Sequence, residues 1–301
     1  MKKKSGLVAY IDLLGTSYLT EKQKSKQYEE ILCNNVKVFH KTIHDSVEGM
    51  NIIIQVLSDS VFLVCDNQTE HCNQLLFCLA EIFRNCLIKG VLPRCGLSDG
   101  DYKIEETELI DINIFGPAVT NAVKLEGRGK GARIFTTSDV ASYVDIDNCG
   151  YLFLPYEDKS TYNTFDVLNW PVLIKDYSYS PTDWPLTVNR VNDDFKNLVQ
   201  TNLYIESMLR FSPNFIWNAE TEDGKRHLVS TAAYISELID RIVKDKDKKE
   251  EFQISADTFE SIINIARDEE TVLRHYYACW NEIFRKFLGD DTFVENLKRE
   301  E

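Results

Sequence analysis

Two aspartates stand out because each interrupts an apolar, strand-like run. Asp12 falls within Leu7–Leu14, and Asp59 within Leu57-Ser58-Asp59-Ser60, which separates Ile52–Val56 from Val61–Cys65. Two carboxylates brought together are the hard oxygen ligands that Mg²⁺ or Mn²⁺ takes while keeping other positions for water and phosphate. A backbone carbonyl such as that of Leu13 would complete so sparse a set. Taken singly, each aspartate better suits a local turn, with Asp12 as a cap and Asp59 in an Asx-turn. Gly15-Thr16-Ser17 follows Asp12 and precedes a helical pattern, which places backbone amides where a phosphate would sit. The chain has neither a Walker-A loop nor a G-x-G-x-x-G, which argues against a P-loop NTPase or a dinucleotide-binding domain.

A further concentration of chemistry lies in Gly116–Glu126. Gly-Pro opens a helix on which Thr120 and Lys124 sit one turn apart. Lys124, Arg128, Lys130 and Arg133 form a local positive cluster, suited to the oxygens of a phosphorylated substrate. Ordinary solvated side chains explain Arg128 and Lys130 as well. They explain Lys124 less well, because Val123 and Leu125 flank it.

The elements that must position these residues read as strand, helix, two strands, helix, strand. Residues 7–14 and the 51–65 hairpin flank a helical segment from about Tyr18 to Val47. Leu75, Leu76, Leu79, Ile82, Phe83 and Cys86 repeat at helical spacing up to Gly90, and Val91–Leu97 is extended again. Cys72, Cys78 and Cys86 on that helix read as small buried hydrophobes. The predicted fold is α+β: a ferredoxin-like βαββαβ core, with helices on one face of an antiparallel sheet and the other face open to substrate or partner. A hairpin-like stretch (Tyr102–Ile114), a helix from Gly116, a strand at Arg133–Thr136, a helix from Ser138 and strands near Tyr151–Pro155 and Asn163–Leu168 follow.

Trp170-Pro171, Pro181 and Trp184-Pro185 break regular structure, which divides the chain into a domain over 1–170, a linker over 171–190 and a helical region over 191–301. In that region Asp193–Phe211, His227–Val243 and Ala256–Leu288 carry helical apolar spacing, and Lys244–Glu251 is a mixed charge run joining two of them. Trp217 and Trp280 fit helix packing there.

The 301 residues include 34 Lys+Arg against 48 Asp+Glu, a formal net charge of -14 that makes bulk nucleic acid and anionic membrane poor partners. No apolar run approaches the ~18 residues of a membrane span, and the run after the N-terminal lysines is too short for a signal peptide. With eight cysteines lacking C-x-x-C spacing, the expectation is a cytoplasmic protein with reduced thiols. His40 and His44, spaced i and i+4, have no Cys or Glu at companion spacing and read as solvated helix histidines; His227 and His275 suggest nothing more.

Taken in order, Tyr10-Ile11-Asp12-Leu13-Leu14-Gly15-Thr16, Leu57-Ser58-Asp59-Ser60, Pro93-Arg94-Cys95-Gly96-Leu97-Ser98-Asp99-Gly100, Gly116–Glu126 and Ala132-Arg133-Ile134 resemble the signature blocks of class III nucleotidyl cyclases. Their particular form is most similar to the pyrimidine nucleotide cyclases of bacterial Pycsar antiphage systems. The resemblance implies conversion of UTP, or less favoured CTP, to the 3′,5′-cyclic monophosphate and pyrophosphate, as a second messenger for a separate effector in antiviral defence. It implies that Asp12, Asp59 and the Leu13 carbonyl hold two Mn²⁺ or Mg²⁺ ions, with Leu14, Gly15, Thr16 and Arg133 at the phosphates. One ion would activate the ribose 3′-hydroxyl for attack on the α-phosphorus and the other would hold pyrophosphate. Thr120, Asn121 and Lys124 would reach the transition state from the opposite subunit of a head-to-tail homodimer.

Thr120 stands where that family commonly has Asn, and Lys124 where it has Arg, so a planar fork is replaced by a point charge. Gln55 and Asn113 occupy places that purine cyclases fill with charged residues. Their amides would read a pyrimidine edge, with Arg94 as a further base or phosphate contact or else a surface salt bridge. The alternatives are an adenylyl or guanylyl cyclase, and a degenerate cyclase fold that only binds nucleotide. The retained Asp12 and Asp59 oppose the degenerate reading, and the altered Thr120 and Lys124 favour it.

Overall fold

The computed structural model describes residues 2–22, 25–105, 112–145, 152–157, 164–173, 209, 215 and 221–244. The chain divides into two compact units, Met1–Cys86 with Val91–Pro181, and Leu87–Gly90 with Thr182–Glu301. The expected helix at Asp193–Phe211 apart from Leu209, the expected helix at Ala256–Leu288, the Lys244–Glu251 run beyond Lys244, the linker beyond Leu173, and Trp217, Trp280 and His275 lie outside the described residues.

The first unit is an α+β sheet structure. Its elements are β1 (Lys2–Leu13), α1 (Thr16–Lys22), α2 (Lys26–Val47), β2 (Ile53–Val56), β3 (Ser60–Asp66), α3 (Thr69–Ile88), β4 (Pro93–Glu105), β5 (Asn113–Phe115), α4 (Pro117–Glu126), β6 (Ile134–Thr136), β7 (Phe153–Glu157) and β8 (Thr164–Leu168). The strands run in the order β2-β3-β1-β4-β6-β8-β7, with β5 beside β4. Among the described strands only β4 and β6 pair in parallel. The β2-β3-β1-β4 half is the expected ferredoxin-like arrangement.

Two helical expectations change. The segment read as one helix over Tyr18–Val47 is two, because Ser25 takes an extended backbone (φ -89, ψ 124) and restarts the chain as α2. The charged stretch before it offers no apolar stripe to carry one helix through. The helix from Ser138 is a short 3₁₀ helix, Ser138–Tyr143.

Side chains alternate across β1. Leu7, Ala9, Ile11 and Leu13 on one face are buried with Leu63 and Cys65 of β3 and Cys95 and Leu97 of β4. Cys72 of α3 reaches Cys65 on this face (Sγ to Sγ 3.8 Å), so α3 covers it. Cys72, Cys78 and Cys86 are fully buried, as their spacing predicted.

The opposite face is not open throughout, contrary to expectation. Ala118 and Ala122 of α4 pack there on Val8, Phe62, Val64 and Tyr102. The far end of β4 and β5 curl over the same face, where Ile114 and Ile104 join the cluster. The reason is Gly96 on β4. A Cβ there would collide with the Ala122 carbonyl and lie 2.6 Å from the Glu126 nitrogen. Without a side chain at 96, the backbone of α4 lies directly on the strand.

Trp170 closes the unit beyond β8. It is fully buried, donates from Nε1 to the Ala132 carbonyl at 2.9 Å and packs on Phe83 at 5.8 Å. Arg84 of α3 donates to the carbonyls of Trp170 and Leu173.

In the second unit the described element is α5 (Glu222–Lys244), which starts earlier than the expected His227. Thr221 caps it by accepting the Gly224 amide at 3.0 Å, and Glu222 and Asp223 suit the positive end of a helix. No helix among the described residues is long and apolar enough to cross a membrane.

Gly96→Ala is expected to lower unfolding stability in urea by about 2–3 kcal/mol, because backbone must move to admit the methyl. Gly49→Ala is the contrast. Its positive φ of 76° is unfavourable, but nothing lies within 4 Å, so the loss is expected to be about 1 kcal/mol.

Candidate active site

Strand register assembles the site. Directly paired residues share a face, so Gln55 of β2, Phe62 of β3, Tyr10 of β1 and Gly96 of β4 form one row across the sheet. The Tyr10 and Phe62 rings pack against each other at a tilt of 39°, with centroids 4.8 Å apart. The next row toward the end of the sheet is Ser60, Asp12 and Arg94. Asp59 is the last residue of the β2–β3 turn, and its carbonyl accepts the Leu13 amide at 3.0 Å. Asp12 and Asp59, 47 positions apart in sequence, are thereby brought to the same end of β1 and β3.

The two carboxyls sit in different electrostatic settings. Asp59 accepts hydrogen bonds from Thr16 Oγ1 at 2.6 Å and Ser58 Oγ at 2.8 Å. Burial alone would raise its pKa, but these donors and nearby His40 hold it below the usual value. Asp12 is pushed up to about 7, first by burial, then by the neighbouring Glu126 and Asp59 carboxylates, with Arg94 pulling the other way. The site thus concentrates negative charge that its own cation does not balance.

That is an environment a divalent cation fits. Among the described residues no group of three or more His, Cys, Asp and Glu side chains is arranged to hold a metal ion. The sequence resemblance would give the ligand role to the two carboxylates and the Leu13 carbonyl, a sparse set of the kind that Mg²⁺ or Mn²⁺ completes with water and phosphate.

Most of the remaining sequence-predicted residues fall in three places. In the β1–α1 turn, Gly15 has φ 90°, which favours glycine. The Leu13 and Leu14 amides are engaged by the carbonyls of Asp59 and Leu92, so the turn from Gly15 onward is left to supply any amide cradle, and Thr16 spends its hydroxyl on Asp59. On α4, Thr120, Asn121 and Lys124 are exposed and turned away from the sheet, whereas Ala118, Ala122, Leu125 and Glu126 are buried against it. On β4, Arg94 pairs not with the surface but with buried Glu126, and Nη1 donates to the Gly129 carbonyl at 3.3 Å.

Arg133 is buried beside β4, its Nε donating to the Lys130 carbonyl at 3.0 Å. Gln55 Oε1 accepts the Ile114 amide at 3.0 Å, which ties β2 to the curled β5. Asn113, next to Ile114, alternates to the other face of β5.

Two residues emerge that sequence reasoning missed. Glu126 lies on the same stripe as Ala118 and Ala122, and an acid on an apolar stripe is the signal that marks it. His40 is half-buried rather than solvated: its Nε2 is buried, and burial lowers its pKa against the upward pull of Asp59. His44 is exposed, as expected.

Among solved structures, the guanylyl cyclase Cya2 aligns at 14% identity over 60% of this chain and 96% of its own, with a TM-score of 0.41. The guanylate cyclase domain of RhGC from Catenaria anguillulae, in complex with GTP, aligns at 12% identity over 56% of this chain and 96% of its own, TM-score 0.41. The adenylyl cyclase CyaB from P. aeruginosa aligns at 15% identity over 55% and 93%, TM-score 0.38. No protein-family model and no curated protein matches the sequence.

The raised pKa of Asp12 has a consequence for stability. The folded chain holds this proton more tightly than the unfolded chain does, so ionisation destabilises the fold. The cost is absent below about pH 4 and complete above about pH 7. In metal-free buffer at pH 8, Asp12→Asn is expected to be more stable than the unsubstituted chain, on the order of 2 kcal/mol, with the difference vanishing toward pH 4. Thermal unfolding across that range measures it.

Proposed function

We propose that the chain is a nucleotide cyclase that converts UTP to 3′,5′-cyclic UMP and pyrophosphate, with CTP as a poorer substrate. The observation that carries this reading is the meeting of Asp12 and Asp59 at one end of a sheet face, in a charge environment suited to a cation. Bound metal would supply Lewis acidity at the phosphates and favour ionisation of the 3′-hydroxyl. The chain's own residues bind and orient. Asp12, Asp59 and the Leu13 carbonyl would hold the ions. The Gly15–Ser17 turn lies beside them at the start of α1, where its amides would meet the terminal phosphates.

Gln55 supports a preference among bases. Because its Oε1 is occupied by the Ile114 amide, the group left to present is the Nε2 donor. A donor suits the O4 carbonyl of uracil and opposes the exocyclic amine of cytosine or adenine. The same donor suits O6 of guanine, which makes GTP the second reading.

The exposed face of α4 supports a shared site. Thr120, Asn121 and Lys124 point away from their own sheet, beside the exposed apolar Val123. In a head-to-tail homodimer they would meet the phosphates held by the partner. For a chain of net charge -14 bound to a triphosphate, metal ions and this cationic segment supply the opposing charge. The ordered sequence blocks support a role as a second-messenger synthase in the cytoplasm of a phage-challenged bacterium, acting on a separate cyclic-nucleotide effector.

Purified protein with Mn²⁺ and each of the four NTPs, analysed by mass spectrometry, is expected to yield cyclic UMP as the main product. Asp59→Ala is expected to lower the rate by at least about 100-fold, with unchanged circular dichroism. Four intact triphosphates would overturn the cyclase reading.

Gln55→Glu replaces the donor with an acceptor. It is expected to shift kcat/KM from UTP toward CTP by about tenfold or more. An unaltered ratio would remove Gln55 from base recognition.

A further inference from the structure

Arg94 stands directly opposite Asp12 in the β1–β4 ladder. Side chains so paired share a face, with Cβ atoms about 5 Å apart, a spacing at which an arginine and an aspartate ordinarily join. Here the hydrogen bonds of the guanidinium go elsewhere. Its Nε pairs with the Glu126 carboxylate at the end of α4, and Nη1 donates to the Gly129 carbonyl at 3.3 Å. Both partners of the ion pair are largely buried, at 15% and 9% side-chain exposure, so the pair is shielded from solvent.

Two glycines make this diversion possible. Gly96 lets the last turn of α4 rest on β4, which brings Glu126 above Arg94. Gly129 is packed so closely on the Phe135 ring that a Cβ would collide with it, which fixes the second acceptor.

We propose that Glu126 is a positioning residue that draws the Arg94 guanidinium away from Asp12 and so keeps the Asp12 carboxylate available to a divalent cation. The inference rests on the reading that Asp12 and Asp59 receive the metal. A guanidinium fork and a divalent cation compete for the same carboxylate oxygens, and the fork is tethered one strand away. Without Glu126, the carboxylate directly across the ladder is the partner that Arg94 reaches. Glu126 thus acts through Arg94.

Mn²⁺ titration of the full chain, followed by electron paramagnetic resonance, tests this with E126Q and R94Q/E126Q, each checked for cooperative unfolding. E126Q is expected to bind Mn²⁺ about tenfold more weakly, and R94Q/E126Q to return to within about threefold of the unsubstituted chain, since no guanidinium remains to occupy Asp12. Unchanged affinity in E126Q overturns the proposal alone. Equal weakening in both variants also overturns it, because Glu126 would then serve the ion by a route that does not pass through Arg94. Absence of Mn²⁺ binding in the unsubstituted chain removes the cation reading and the proposal with it. If E126Q does not fold, E126D keeps the charge but shortens the reach; weakened binding restored in R94Q/E126D supports the proposal, and unchanged binding rejects it.

Discussion

The approach of the α4 backbone to β4 at Gly96 is the constraint on which the candidate site depends. Helices usually meet sheets through two layers of side chains, but here a carbonyl and an amide of the helix occupy the space where a Cβ would be. That contact fixes the helix axis, its rotation and its distance together. The buried stripe of Ala118, Ala122 and Leu125 becomes the sheet side, Glu126 is delivered over Arg94, and Thr120, Asn121 and Lys124 are left on the outside. The small side chains of Ala118 and Ala122 extend the same logic along the helix, since larger ones would lift it off Val8 and Tyr102.

Against this mechanical frame, the charges on the sheet face divide into a satisfied and an unsatisfied part. Asp59 is held below the usual carboxylate range by two hydroxyl donors, one on the adjacent Ser58 and one on Thr16 at the start of α1, 43 residues away in sequence. Asp12 has burial and two further carboxylates against it, and the arginine across the ladder is committed elsewhere. A protein optimised only for stability would neutralise such a position, because an ionised carboxylate with insufficient counter-charge costs free energy. Retaining it is intelligible if the counter-charge arrives with the substrate. Stability is then lower in the empty protein than in the loaded one.

Much of this was legible in the sequence. The βαββαβ order followed from alternating short apolar runs and 3.6-residue periodicity, and Asp12 and Asp59 were visible because each breaks a strand of otherwise apolar residues. The sheet order then brought them together without any information on side chains. What periodicity does not encode is the partner of an apolar face. The residues of α4 do not tell which face of the sheet the helix covers, which is why the sequence alone predicts an open face. His40 illustrates the same limit. Spaced four residues from His44, it read as one of a solvated pair, yet the two differ in burial because Phe39 and Ile43 turn the adjacent part of α2 inward.

Gln55 shows how a long-range contact gives chemical meaning to a residue that is ambiguous on its own. A glutamine carries a donor and an acceptor at one end, and in isolation either could face a ligand. The Ile114 amide removes the ambiguity, since a backbone N–H accepts nothing and so selects Oε1. That amide is available only because β5 pairs with the far end of β4 and curls over the face where Gln55 stands. A flipped side chain would set two N–H groups against each other in a half-buried position, a loss comparable to leaving a buried donor unmade. The orientation of one amide thus depends on the curvature of a ribbon remote from it in sequence. Under the function proposed above, discrimination between a keto and an amino group on the base would be set by sheet geometry as much as by the identity of residue 55.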